Sequence, residues 1–195
     1  MEQVIKGFLC RQQFHQSLGC APFEFDPHPN VDCIVAPNKD PGMFRDAARL
    51  LQVYEKSHAR AVVVLDADWK GSPGAPAIRK KLQENLSPRW EKFAVIVIEP
   101  ELEAWILNDN SHVADTFRCP KNYRKILEAA EWWPADKAKP PRPKEALEYL
   151  KKNHGARAVN ADFGKLAAKM SVRNCQDPAF LQLRDQLRAW FPEQP

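Results

Sequence analysis

No two cysteines in this 195-residue chain are spaced C-x-x-C; the five, Cys10, Cys20, Cys33, Cys119 and Cys175, are scattered and odd in number. That pattern lacks the ligand pairs of a zinc ribbon and reads as free thiols in a reducing compartment. Long apolar runs are missing too: no segment approaches the ~20 residues of a membrane span. The opening MEQVIKGFLC has neither a long apolar core nor a small-residue cleavage site. A cytoplasmic protein with no membrane partner is therefore expected. There is no internal repeat, and the only biased tract is the connector DKAKPPRPK. Gly71 and Gly74 flank Ser72-Pro73, but no Walker lysine accompanies them. His15, His28, His58, His112 and His154 show no ligand spacing and are expected at the surface or as caps.

What is present is an ordinary globular composition, 44% hydrophobic and 28% charged, with six tryptophans and ten phenylalanines, which argues against disorder. The net charge of +4 is unevenly distributed: residues 121–173 hold 13 Lys and Arg against 6 Asp and Glu, whereas residues 1–120 hold 14 against 16. A basic segment of this kind suits a phosphate-bearing partner, although solvated lysine faces on helices produce the same excess.

Along the chain, QVIKGFL (3–9) reads as a first strand and RQQFHQSLG (11–19) as a helix closed by Gly19. FEFDPHPN (23–30) alternates and then breaks at two prolines. VDCIVA (31–36) reads as a second strand, and a helix should open near Asp40 or Pro41, with Phe44, Ala48, Leu51 and Tyr54 on its apolar face. ARAVVVLD and KFAVIVIEP (92–100) read as strands buried on both faces, separated by a helix over 75–86. Beyond residue 100 the strands stop. ELEAWILND, NYRKILEAAEWW, KEALEYLKKNHG, ADFGKLAAKMSV and DPAFLQLRDQLRAWF read as helices, the last with Asp177 and Pro178 as cap and first turn. The expected fold is α/β, a mostly parallel sheet flanked by helices, with a core over 1–117 and a basic helical extension over 118–195 packed on it.

The stretch VVVLDADWKG carries the candidate chemistry. Asp66 and Asp68 end a buried apolar run, and in parallel sheets ligands bind beyond the carboxyl ends of the strands. Alternate residues of an extended chain point the same way, so the two carboxylates can aim at one spot. Each raises the other's pKa unless a cation lies between them, and a hard divalent ion suits an all-oxygen set. The next apolar strand runs into IEPELEAWILND, so Glu101 and Glu103 would join the same rim if the strands are neighbours. The competing reading is that acids are favoured in any first helical turn. The expected metal ligands are thus Asp66, Asp68, Glu101 and Glu103, holding Mg2+ or Mn2+, with Asp66, Asp68 and Glu103 as the catalytic set. Lys70, Lys121, Arg124 and Lys144 are the candidate nucleic-acid contacts. Trp105 is expected in the core, while Trp69 could stack on a base.

A buried strand ending in Asp66-Ala67-Asp68, followed by a strand running into Glu101-Leu102-Glu103-Ala104-Trp105-Ile106-Leu107-Asn108-Asp109, resembles the Toprim-like proteins of bacteria. With DPG at 40–42, GSPG at 71–74, PKEA at 143–146 and CQDPAFLQLR at 175–184, it is similar to small proteins of anti-phage islands, among them the methylation-associated defence systems. The resemblance implies a Mg2+-dependent nuclease or phosphodiesterase of antiviral defence, with nucleic acid and defence-system proteins as partners; a homodimer is compatible with it. Toprim domains use a first-strand glutamate as general acid/base, and here that place reads Lys6-Gly7. A charged lysine neither ligates Mg2+ nor accepts a proton. The alternative is a degenerate module that binds nucleic acid or a defence partner without cutting. A D-x-D glycosyltransferase would have a longer nucleotide-binding part before its acidic pair. A haloacid-dehalogenase-type phosphatase would have its pair on the first strand with Thr or Val following, where this chain has Trp69.

Overall fold

The computed structural model describes residues 1–28, 30–173 and 175–193. Its elements run α1 (Glu2–Leu9), α2 (Phe14–Leu18), α3 (Lys39–Leu51), a 3-10 turn (Gln52–Tyr54), β1 (Ala61–Asp66), α4 (Ala75–Leu86), β2 (Phe93–Ile98), α5 (Glu103–Ile106), α6 (Ser111–Phe117), α7 (Tyr123–Ala129), α8 (Pro143–His154), α9 (Asn160–Lys169) and α10 (Pro178–Trp190). They form two compact units, each discontinuous in sequence. One comprises Met1–Ser17 with Glu101–Asn174, the other Leu18–Pro100 with Cys175–Pro195.

The second unit is the α/β part. Its β-branched runs pair as a two-stranded parallel sheet in the register Ala61↔Phe93 to Asp66↔Ile98. A parallel pair needs a crossover, and α4 supplies it. Gly74, at φ +85°, turns the chain into α4, and Pro76 sits in the first turn, where a missing N–H is harmless. Ile78, Leu82 and Leu86 form an i, i+4, i+8 stripe buried against Val63, Leu65, Val95 and Val97. Each such side chain contributes about 2 kcal/mol by leaving water. Helix α3 packs on β1 and α4, and α10 packs on β2. Asp177 caps α10 by accepting the N–H groups of Ala179 and Phe180 at 3.0 and 3.1 Å.

The first unit is helical. Helix α1 lies on α9 so closely that a Cβ on Gly7 would fall 2.1 Å from the Gly164 carbonyl oxygen. Gly155, at φ +69°, ends α8 in the left-handed conformation. Asn110 caps α6 by accepting the Val113 N–H at 3.2 Å.

Several expectations are corrected. QVIKGFL is helical: Val4 and Phe8 are its buried residues, and their i, i+4 spacing puts both on the face toward α9. VDCIVA forms no regular strand, because the chain curls through turn bonds from Val31 N–H to the His28 oxygen (3.2 Å) and from Asn30 N–H to the Cys33 oxygen (3.3 Å). Pro29, the second expected breaker, lies outside the described residues. β2 is buried on both faces, but β1 alternates, with Val62 and Val64 half-buried. The two-unit division also differs from a boundary at 117/118: α1 belongs with α9, and α10 with β2. Among the described residues no helix is long and apolar enough to cross a membrane.

Candidate functional site

At the carboxyl end of β1 the chain stays paired beyond the last strand residue. Ala67 N–H donates to the Ile98 oxygen at 2.8 Å and Asp68 N–H to the Pro100 oxygen at 3.2 Å. The chain bends at Ala67, so Asp66 and Asp68 do not continue one straight extended path as the D-x-D spacing predicts; Asp66 is half-buried and Asp68 exposed. On the opposite edge, Asp66 N–H donates to Oδ1 of Asp40 at 3.1 Å. Asp40 lies in the first turn of α3, which can begin there because Gly42 passes the Pro37 carbonyl where no Cβ would fit, 1.6 Å away. DPG and D-x-D therefore meet at one rim. Asp40 was legible in sequence only as a helix start; its contact with β1 spans 26 residues and leaves no local signal.

The loop after Asp68 is knitted. Ser72 Oγ donates to the Ala67 oxygen at 2.5 Å and accepts the Gly74 N–H at 3.2 Å, and Gly71 turns at φ +87°. Trp69 is half-buried, 5.9 Å from the Phe44 ring and packed on the core rather than presented for stacking. Lys70 is exposed. At the end of β2, Arg79 pairs with Glu99 at 3.0 Å and donates to the Val97 oxygen at 3.2 Å.

Glu101 and Glu103 belong to the helical unit. Glu101 is 6% exposed, and its Oε1 accepts the Lys144 N–H at 2.9 Å. Arg142, the N-cap residue of α8, makes no side-chain cap bond, and Pro143 has no N–H; Glu101 satisfies the next orphan donor from 43 positions away. Burial first, and then the charge of Glu103, push its carboxyl pKa up to about 7, against the pull of Lys144, whose Nζ is 3.9 Å from Oε2. The rest of ELEAWILND is pinned in the same unit. Lys139 Nζ donates to the Ala104 oxygen at 2.7 Å and to Asn108 Oδ1. The Tyr123 hydroxyl donates to the Asn108 oxygen and accepts the Asn110 N–H at 3.1 Å. Burial raises the Tyr123 pKa. Trp105 is buried, as expected.

Of the expected basic contacts, Lys70, Lys121 and Lys144 are exposed. Arg124 is not: its guanidinium donates to the Trp133 and Pro134 oxygens at 2.8 and 3.0 Å, pairs with Glu128 at 3.2 Å and lies over Trp133. Sequence reading overlooked a row in the helical unit: Arg142 lies 4.8 Å over Trp132, Trp132 is 6.1 Å from Tyr149, and Tyr149 is 5.5 Å from His154. Aromatic residues interleaved with cations in residues 121–173 were the signal for it.

Among the described residues no group of three or more His, Cys, Asp or Glu side chains is placed to hold a metal ion. The carboxylates of Asp66 and Asp68 remain a hard-oxygen pair, which fits Mg2+, an ion held by one or two carboxylates together with water and substrate phosphates. They do not form the closed cage of a resident structural metal. Comparison with protein-family models, curated proteins and solved structures finds no match to this chain.

Proposed function

We propose that this protein binds nucleic acid and acts on its phosphodiester linkages with Mg2+ or Mn2+ held by Asp66 and Asp68 at the carboxyl edge of β1. The observation that carries the reading is the pair of acids at the carboxyl end of parallel β1, half-buried Asp66 and exposed Asp68, on a segment that bends at Ala67 and is tied down by backbone bonds to Ile98 and Pro100. Asp40 steadies that segment through the Asp66 N–H, and exposed Lys70 meets a phosphate. The ion, when bound, neutralises charge developing on the transferring phosphoryl group. In the helical unit, the Arg142–Trp132–Tyr149 row supplies base stacking, and Lys121 and Lys144 supply phosphate contacts. The resemblance to Toprim-like proteins of anti-phage islands supports this reading and carries with it a role in antiviral defence.

Glu101 favours a second reading. Its carboxylate is buried and engaged by the Lys144 N–H, which takes one of the four expected acids out of use, and a module that grips nucleic acid or a defence partner without cutting needs no such ligand. Lys6 sits in α1 and pairs with Glu2 at 2.6 Å rather than ending a strand, so the first-strand glutamate of Toprim domains has no counterpart there, which also favours this second reading.

Labelled single- and double-stranded DNA and RNA, incubated with the protein at several Mg2+ and Mn2+ concentrations beside Asp66→Ala/Asp68→Ala, separate the two. Metal-dependent cleavage abolished in the variant supports the enzyme. Binding without cleavage, equal in both proteins, supports the module. Neither binding nor cleavage overturns both nucleic-acid readings and leaves a protein-partner role as the survivor.

A further inference from the structure

Two adjacent tryptophans of the helical unit are used differently. Trp133 is 1% exposed, its indole N–H donates to the Lys137 oxygen at 2.9 Å and the Arg124 guanidinium lies over its ring, so this indole serves the fold. Trp132 is only half-buried, and the guanidinium over its ring belongs to the exposed Arg142, 4.8 Å away. Its main chain is fixed. The N–H groups of Trp132 and Trp133 donate to the Leu127 oxygen at 2.8 and 3.1 Å, and Glu131 before them takes a left-handed φ of +60°, a conformation that is costly for a residue with a side chain.

The row continues on α8. The half-buried Tyr149 has its ring 6.1 Å from that of Trp132 at a tilt of 39°, and the ring of His154 is 5.5 Å from Tyr149 at 49°. Rings that close each other's faces stack, as Phe23 and Phe191 do at 4.4 Å and 18° in the α/β unit. At the wider spacing and tilt of the row the rings do not cover one another, and Trp132, Tyr149 and His154 each keep solvent-accessible surface. Exposed Arg142, Lys144 and Lys152 lie at or on the same helix, in a segment with 13 Lys and Arg against 6 Asp and Glu. Two of those acids are already paired, Glu128 with Arg124 at 3.2 Å and Glu148 with Lys151 at 2.7 Å.

We propose that this row selects single-stranded nucleic acid over duplex, with unpaired bases stacking on Trp132 and Tyr149 and phosphates meeting Arg142, Lys144 and Lys152. A base inside a duplex has both faces covered by its neighbours, whereas a base of a single strand has a face to offer an aromatic ring, and the phosphates of that strand answer the cations. The inference rests on the nucleic-acid reading above and names its substrate class. DNA and RNA strands share the base faces and the phosphates that the row recognises.

The test is equilibrium binding to the full chain, followed by fluorescence anisotropy in EDTA so that cleavage plays no part. The probes, each of about 16 nucleotides, are a DNA strand of mixed sequence, the RNA strand of that sequence, the DNA duplex, and an abasic strand that keeps the phosphates and lacks the bases. The expected result is that the DNA strand, the RNA strand or both bind at least about tenfold tighter than the duplex and the abasic strand. Trp132→Leu and Tyr149→Leu should each weaken that binding about tenfold while leaving the abasic strand within about twofold, and Tyr149→Phe, which keeps the ring, should bind like the parent. Denaturant unfolding establishes that the variants fold; if either leucine variant does not, the strand, duplex and abasic comparison on the unsubstituted protein decides. The inference is overturned if the duplex or the abasic strand binds as tightly as the base-bearing strands, or if folded Trp132→Leu and Tyr149→Leu bind like the parent. Those results leave the nucleic-acid reading standing, whereas absence of binding to every probe overturns that reading and this inference with it.

Discussion

Asp66 and Glu101 look alike in sequence, each an acid just beyond an apolar strand, yet their surroundings differ in kind. Asp66 ends β1 with the exposed Asp68 close by in sequence, on a segment that bends at Ala67 and is tied by backbone bonds to Ile98 and Pro100. Glu101 turns inward, buried in the helical unit, and closes the N-terminus of α8. The first arrangement keeps Asp68 open to solvent, while the second uses the Glu101 carboxylate to complete the fold. What separates the two is a partner far away in sequence, Lys144, whose bare N–H needs an acceptor.

The largest effect on that contrast should come from Gly7→Ala. A Cβ there meets the Gly164 backbone, so the helical unit should lose about 2–3 kcal/mol, measured by denaturant unfolding. Gly71→Ala in the loop beside the aspartates meets nothing within 4 Å, and only its φ of +87° opposes the change, at about 1 kcal/mol. Equal losses would refute the distinction between a packed interface and an open rim.

Next comes Glu101→Ala, which leaves the Lys144 N–H without its acceptor and should cost about 1–2 kcal/mol. Asp68→Asn, on an exposed position, should stay within about 0.5 kcal/mol of the parent. The same denaturant unfolding checks both.

Acidity gives a third, comparable effect. The unfolded chain ionises Glu101 at the usual carboxylate value, whereas the folded chain holds the proton until about 7. The contribution of Glu101 is therefore fully present below the unfolded pKa, shrinks as pH rises through the folded one and is absent above it. Between pH 5 and 8 the parent should lose on the order of 2 kcal/mol that Glu101→Gln does not. Parallel stability profiles for the two proteins would contradict this placement of Glu101.

The smallest effect is expected at Lys70. Lys70→Ala should leave stability unchanged and lower the salt dependence of nucleic-acid binding by about one phosphate contact.

Much of the α/β unit was readable because its signals are local. β1, α4 and β2 follow from two apolar runs and the GSPG turn, and α10 follows from Asp177-Pro178. QVIKGFL was not readable, since seven mostly apolar residues fit either period and the Gly7–Gly164 contact that decides for a helix is 157 positions apart in sequence. VDCIVA failed because turn bonds around Val31 outweigh β propensity. For the candidate site, the D-x-D segment was legible in its own residues, whereas the Asp40 bond and the burial of Glu101 on α8 arise only from tertiary contacts.

The contrast between the two acids is tested most directly by assaying Asp68→Asn and Glu101→Gln together for Mg2+-dependent cleavage of nucleic acid, with the unfolding midpoint of each measured in parallel. The account predicts that Asp68→Asn abolishes cleavage at an unchanged midpoint, while Glu101→Gln cleaves like the parent. Cleavage retained in Asp68→Asn and lost in a folded Glu101→Gln would contradict it.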